Sequence, residues 1–114
     1  MSDCIFCDII NKTIPVEAVY ETEDILVFPD IRPIAPTHLL VIPKKHIASL
    51  NEAEELDQAL LGAMFLAANQ ISKQLGFNAH GYRCVINTGE HGGQTVFHLH
   101  LHILGGRPMQ WPPG

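Results

Sequence analysis

The chain lacks a long apolar run. Its most apolar stretch, "AMFLAA" at residues 63–68, falls far short of the roughly 20 apolar residues that a membrane-spanning helix needs. Positive charge is also scarce. Seven Lys and Arg stand against twelve Asp and Glu, for a formal charge of -5 with histidine neutral. A general nucleic-acid binder or an anionic-membrane binder needs a basic patch, so neither partner is expected. An anionic ligand must be held by local groups rather than by a broad positive field. The start, Met1-Ser2-Asp3-Cys4, shows neither the basic segment nor the apolar core of a secretory signal, and a cytoplasmic location is expected. Cysteine is rare and odd in number, three in all. Cys4 and Cys7 form a C-x-x-C pair. In a reducing compartment that pattern points to metal binding or redox work ahead of a structural disulfide.

Apolar residues are not scarce. They make up 46% of 114 residues, enough for one packed domain spanning residues 1–114. There is no internal repeat, linker or low-complexity tract. Residues 4–13 carry apolar side chains at 5, 6, 9 and 10, which predicts a short helix ended at Ile14-Pro15. "EAVYET" and "ILVFPD" read as two strands around a turn at Glu23-Asp24, and "HLLVIPK" (38–44) as a third. The clearest helix follows. Ser49 with Glu52, or Asn51 with Glu54, would form its capping box. Glu52, Glu54, Glu55 and Asp57 suit the positive end of its dipole. Leu56, Leu60, Met64, Ala67, Ala68, Ile71 and Leu75 recur at helical spacing, and Gly76 would close it. "YRCVINTG" and "FHLHLHIL" are two further strands, joined through the glycine-rich "GEHGGQT". The pattern predicts an α+β fold: an antiparallel sheet of about five strands, with one long and one short helix on one face.

"HLHLHIL", residues 98–104, carries the chemistry. In a strand, alternate side chains share a face. His98, His100 and His102 therefore line one face, and Leu99, Leu101 and Ile103 line the other, where the long helix can cover them. Residues i and i+2 lie roughly 6.6 to 6.8 Å apart along a strand, and i and i+4 about twice that. One ion with bonds of about 2.0 to 2.1 Å to nitrogen does not easily take all three rings, although two neighbours could share one. Three such histidines fit different jobs side by side. The plainer alternative is a solvent-facing strand that happens to use histidine. Strict alternation beside a glycine-rich turn favours a site, because histidine serves as nucleophile, acid or base near neutral pH.

Neighbouring residues sort by the same period. Arg83, Val85 and Asn87 share a face, with Tyr82, Cys84 and Ile86 behind them. Asn87 is either a turn residue or a hydrogen-bond donor to a ligand. Cys84 reads as a small core residue. "HGGQT" (91–95) lets backbone approach a ligand, and successive amides there could cradle an anion. Thr95 could offer its hydroxyl to the same pocket.

With "HLHLHIL" fitting His-φ-His-φ-His-φ-φ (φ apolar), the sequence resembles the histidine triad family, and within it the Hint branch of purine nucleoside phosphoramidases. The likeness covers nearly the whole chain, through "IFCDIINKTIP", "FPDIRPIAPTHLLVIPKKHI" and "GYRCVINTGEHGGQTVFHLHLHILGGRPMQWPPG". It implies a homodimer with the sheet continued across it. It also implies a purine nucleoside monophosphate ligand and hydrolysis of the P–N bond of its phosphoramidates, including aminoacyl-adenylate-like compounds. By that resemblance His100 is the nucleophile and forms a nucleotidyl-histidine intermediate. His102 contacts the phosphate and His38, of "PTH", supports the triad. Asp30 and Ile31 contact the ribose. Ile5, Phe6, Ile9, Ile14 and Phe28 form the base pocket, and Gly93, Gln94 and Thr95 form the phosphate loop beside Asn87. The Hint branch often has serine where this chain has Thr95, which keeps the hydroxyl but stiffens χ1. Trp111, in the C-terminal "WPPG", resembles the segment that approaches the partner subunit near the leaving group.

The same likeness completes a metal site. Cys4 and Cys7 need two more ligands for structural zinc, and the family supplies the histidine of "PKKH" and the first of the triad, here His46 and His98. One zinc per chain and no catalytic metal are expected. Three functions remain open: a phosphoramidase, a nucleotide-binding adaptor with little turnover, and a zinc hydrolase that uses His98 and His100 as ligands.

Overall fold

Two apolar runs, "ILVF" and "LLVI", set the architecture. Neither alternates with polar residues, so both faces of their strands need cover. In the computed structural model, which describes residues 3–114, they fall in the middle of one antiparallel sheet. Its strands are β1 (Tyr20–Glu21), β2 (Ile25–Pro29), β3 (Thr37–Pro43), β4 (Tyr82–Val85) and β5 (Leu101–Gly105), in the order β1-β2-β3-β5-β4. A short helix α1 (Ile5–Ile10) and a long helix α2 (Gln58–Leu75) complete the α+β fold.

The helices lie on opposite faces, not on one as the pattern suggested. Ile25, Val27, Leu39, Val41, Leu99, Leu101 and Ile103 pack under Met64, Ala67, Ala68 and Ile71 of α2. Leu26, Phe28, Leu40 and Ile42 pack under Phe6 and Ile9 of α1. A six-residue helix covers only part of its face, so the rest of that face is left open for a site. No helix among the described residues is long and apolar enough to cross a membrane.

Strand β5 begins later than the sequence pattern predicts. Val41 pairs with Leu101, so the next ladder position would set Pro43 against Leu99. Proline has no N–H, and the ladder stops there. Leu99 instead donates its N–H to the Ile47 carbonyl at 2.7 Å. The side-chain alternation survives the break. Leu99, Leu101 and Ile103 are all buried beneath α2, while His98 and His100 turn toward Phe6 of α1.

Helix α2 also starts late. The caps expected for it serve two 3-10 turns, Leu50–Glu52 and Glu55–Asp57. Ser49 Oγ accepts from the Asn51 N–H and donates to Glu52. The second turn has its own reciprocal box between Glu54 and Asp57. Lys45 Nζ reaches the buried Asp57 carboxylate at 2.6 Å and holds it below the usual carboxylate range, tying the loop after β3 to the start of α2. Leu56 therefore precedes the helix and is exposed, and Leu75 is exposed at its last turn. Gly76 closes α2 at φ 84°, a conformation that costs glycine little.

Leu101 is 1% exposed between sheet and helix. Leu101→Ala is expected to cost about 2–5 kcal/mol, read as a lower urea midpoint with an unchanged slope.

Candidate active site

The open half of the α1 face is organised by strand register. Phe28, Leu40, His102 and Val85 form one row across β2, β3, β5 and β4. The next row runs Asp30, His38, Leu104, Arg83. His38 and Arg83 each pair with Leu104, and the Asp30 N–H donates to the His38 carbonyl at 2.9 Å. All eight residues line one cavity of about 1120 Å³. At one end the cavity is apolar, with Ile5, Phe6, Ile9 and Ile14. Ile31, 90% exposed, forms its lip, and Asn87 and Thr95 line it near the triad.

His100 sits just beneath this lining and is 7% exposed. Its Nδ1 lies 2.7 Å from the His98 carbonyl oxygen. A carbonyl only accepts, so Nδ1 carries the proton and Nε2 the lone pair. Phe6 meets the ring edge-on at 5.2 Å, and the His102 ring lies at 5.0 Å. The ring is thereby held in one orientation, with Nε2 left free.

His102 has the opposite tautomer. The Ile34 N–H donates to His38 Nδ1 at 3.1 Å, so the His38 proton sits on Nε2. That Nε2–H points at His102 Nδ1, 2.9 Å away, with Asp30 Oδ2 at 3.5 Å. His102 Nδ1 is thereby an acceptor, and its Nε2–H becomes a donor. Burial pushes the His102 pKa down to about 4, with His100 and His38 adding to the effect. Burial likewise lowers His38, against the pull of Asp30. Both rings are neutral at pH 7. Asp30, His38 and His102 lie close enough to share a cation, but the His38 Nε2–H already occupies the space between the two rings.

Asp30 Oδ1 accepts from the Arg32 N–H at 2.8 Å, which fixes the carboxylate at the rim. Gly93 and Gln94 do not line the cavity. Their amides donate to the carbonyls of Glu90 and Gly89, both at 3.0 Å, so they cannot also cradle an anion. The Gln94 side chain braces the loop instead: it accepts from the Gly89 N–H and donates to the carbonyls of Ala48 and Val96. Only Thr95 of that loop reaches the cavity. Trp111 is 81% exposed and stands outside the lining, although Pro112, Pro113 and Gly114 belong to it.

Two of the cavity residues that received no role from the sequence hold the cavity's frame in place. Arg107 donates to the Ile34 carbonyl through Nε at 3.2 Å and Nη2 at 2.9 Å. It thereby steadies the loop whose N–H sets the His38 tautomer. Arg83 donates through Nη2 to the Gln110 carbonyl at 2.8 Å, which holds the C-terminal segment over the cavity. The shared period of Arg83, Val85 and Asn87 was the available signal for Arg83.

Cys4, Cys7, His46 and His98 converge at a separate point, with their ligand atoms all within 4.8 Å of one another. His98 Nε2 donates to the Pro43 carbonyl at 2.8 Å, so its Nδ1 lone pair faces the cysteines. Cys4 Sγ lies 3.2 Å and Cys7 Sγ 3.6 Å from that nitrogen. Cys7 Sγ and His98 Nδ1 lie 3.3 and 3.1 Å from His46 Nδ1. A tetrahedral ion with Zn–S and Zn–N bonds of the usual lengths would space these atoms by about 3.3 to 3.8 Å. The donor set could hold a metal ion. Burial first, then Cys4 and Asp8, push the Cys7 thiol up to about 11, a shift that a bound cation would oppose.

Residues 11–109 match the HIT domain family. The chain belongs to that family. It is 54% identical to an uncharacterized HIT-like protein of Synechococcus elongatus, over 98% of this chain and 97% of that one. The crystal structure of a HIT family hydrolase from Legionella pneumophila superposes with a TM-score of 0.96 at 50% identity, covering 98% of this chain and 100% of that one. A histidine triad nucleotide-binding protein from Candida albicans aligns at 32% identity and TM-score 0.83, over 96% and 83% of the two chains. A zinc-bound histidine triad family protein from Mycobacterium smegmatis aligns at 36% and 0.79, over 92% and 76%. The HIT assignment and the α+β sheet thus agree with the sequence reading.

The neutral imidazoles link folding to pH. Unfolded, His38 and His102 take up protons as pH falls through about 6.5, whereas folded His102 resists protonation down to about 4. Stability from this source is complete above the unfolded pKa and is lost as pH falls toward the folded one. The wild-type thermal midpoint should drop between about pH 7 and pH 5, and His102→Gln should reduce that drop. Equal slopes in the two proteins would remove His102 as its source.

Proposed function

We propose that this HIT protein is a Hint-type purine nucleoside phosphoramidase with His100 as its nucleophile. The observation that carries the reading is the pair of opposed tautomers: a lone pair on His100 Nε2 beside a proton on His102 Nε2. One group attacks phosphorus and the other donates to its oxygens, without a proton transfer beforehand. The apolar end of the cavity would receive the purine, through Phe6, Ile9, Ile14 and Phe28 with Ile5 at the margin. Asp30 would accept from the ribose hydroxyls, with Ile31 against the sugar.

In the first step His100 Nε2 forms a bond to phosphorus and the P–N bond to the leaving amine breaks. Positive charge on the imidazole is stabilised by the His98 carbonyl at Nδ1. The His102 Nε2–H and Asn87 hold the phosphoryl oxygens. The amine takes a proton from solvent water, relayed through the Thr95 hydroxyl, which regains its own hydrogen in the relay. Water then attacks phosphorus and the P–Nε2 bond breaks; one proton of that water returns to solvent, and the nucleoside monophosphate leaves with His100 neutral again.

The kinship with a Legionella hydrolase and a Candida nucleotide-binding protein supports this class. A zinc hydrolase centred on His98 and His100 fits less well, because those rings present nitrogens that serve different partners. Zinc at Cys4, Cys7, His46 and His98 would act as a structural clamp. The zinc-bound Mycobacterium relative supports that identity. A homodimer with a continued sheet is supported by β4 standing at the sheet edge and by exposed Phe65 and Leu66 on α2.

Wild-type protein is expected to hydrolyse a fluorogenic adenosine phosphoramidate, and His100→Ala to lower kcat at least about 10³-fold. Full activity in that variant would end the nucleophile assignment. Deoxyadenosine substrate used as well as the ribose form would remove Asp30 from the sugar site.

Elemental analysis of reduced, tag-free protein is expected to find about one zinc per chain. Cys7→Ser should lose the metal and lower the thermal midpoint. Metal-free wild type would withdraw the zinc assignment.

A further inference from the structure

All three arginines of the chain, Arg32, Arg83 and Arg107, line the active-site cavity, and none of its four lysines does. Lys12, Lys44 and Lys45 are paired with carboxylates, whereas no ion pair among the described residues involves an arginine. Asp30 is the one acidic side chain in the lining. A carboxylate at Gly114, in the same wall, would still leave three cations against two anions. A chain of net charge -5 therefore gathers all its arginines in this hollow, and of its lysines only Lys73, in the last turn of α2, lacks a carboxylate partner among the described residues.

The three arginines are not equivalent. Arg32 has a guanidinium without a partner among the described residues, but it lies on the loop beside Asp30, at the ribose end of the row. Arg107 spends Nε, Nη1 and Nη2 on the carbonyls of Ile34 and Pro108. Arg83 makes one bond, to the Gln110 carbonyl. A guanidinium has five N–H donors, so four on Arg83 have no partner among the described residues.

Register gives Arg83 its place. Asp30 and Arg83 end the same cross-sheet row, three strand spacings or about 14 Å apart. His102 stands in the adjoining row between them. With the ribose at Asp30 and the base toward α1, phosphorus lies over the triad, and the free side is the β4 side. In an in-line displacement the leaving group departs opposite His100 Nε2, away from the sheet. An arginine rooted on the sheet is long enough to reach that level, and the tail it anchors walls the same side.

We infer that Arg83 forms a subsite for a carboxylate on the leaving amine, so that the substrates this protein favours are nucleoside phosphoramidates of amino acids with a free carboxyl group. The inference deepens the phosphoramidase reading and rests on its placement of the nucleotide. Arg83 offers a planar pair of donors that matches a carboxylate. Nearby Asp30 disfavours an anion at the opposite end of the row, so only one orientation of the ligand matches the charges.

The test uses the His100→Ala protein, which binds without turnover, and two ligands that differ in one group: the adenosine 5′-phosphoramidates of alanine and of alaninamide. Calorimetry should find the acid bound about tenfold more tightly than the amide. The ratio should fall to about one in His100→Ala/Arg83→Gln. Equal affinity in the first protein overturns the subsite without any change at Arg83, and a ratio that survives Arg83→Gln overturns it too. Wild-type turnover of the amide reports separately on hydrolysis. Turnover with no acid preference in binding removes the subsite and leaves the phosphoramidase. Acid-selective binding with no turnover does the reverse. Binding of neither ligand removes both.

Discussion

Everything in the site depends on the pleat of residues 98–104. Leu99, Leu101 and Ile103 are each at most 1% exposed under α2. A one-residue slip would drive three imidazoles into that core and three apolar side chains into the cavity. The leucine face therefore locks the histidine face. The lock holds even where the ladder stops at Pro43, because burial, not cross-strand hydrogen bonding, fixes the orientation of residues 98–100. Rigidity of the histidine face is thus supplied by packing on the far side of the sheet.

Given that face, three identical side chains become different groups through the partner of one nitrogen each. His98 gives Nε2–H to the Pro43 carbonyl and turns Nδ1 to the cysteines. His100 gives Nδ1–H to the His98 carbonyl and keeps a lone pair on Nε2. His102 accepts at Nδ1 from His38 and keeps a proton on Nε2. The first two are also joined. One residue contributes its ring to the metal-binding cluster and its carbonyl to the next histidine, so the cluster and the reactive imidazole share a single stretch of backbone. Displacing the His98 ring would tilt the carbonyl that orients His100.

Much of this was legible in the sequence, because period and spacing are local. Alternation assigned the faces of residues 82–87 and 98–104, and the ligand set that the family resemblance implied, Cys4, Cys7, His46 and His98, converges. What failed was non-local. The lateness of β5 follows from its register with Pro43, which no single segment reveals. The capping residues at 49–57 matched a helix start, yet adjacent 3-10 turns used them first. The two-sided apolar runs in β2 and β3 carried a signal for cover on both faces, which the expectation of both helices on one face left unused. The amides of Gly93 and Gln94 appeared available because glycine-rich loops often bind anions, and only coordinates reveal that the loop bonds to itself. Arg107 was invisible for the same reason: its partner is the carbonyl of residue 34, far away in sequence.

The charge arrangement follows from what each residue type can lose. An imidazole serves as nucleophile only while neutral, and burial keeps His38 and His102 in that form around neutral pH. Neutral rings cannot also supply the positive potential that an anionic ligand needs. Arginine can, because it stays protonated at any working pH. The structure separates the tasks accordingly, with histidines on the floor at the triad and arginines around it. Three of the four lysines are matched by carboxylates, so their field is short-range and screened. The chain is negative overall, while all three of its arginines line the active-site cavity. Strand register sets Asp30 and Arg83 at opposite ends of one row, so the sheet itself fixes where each charge stands along it.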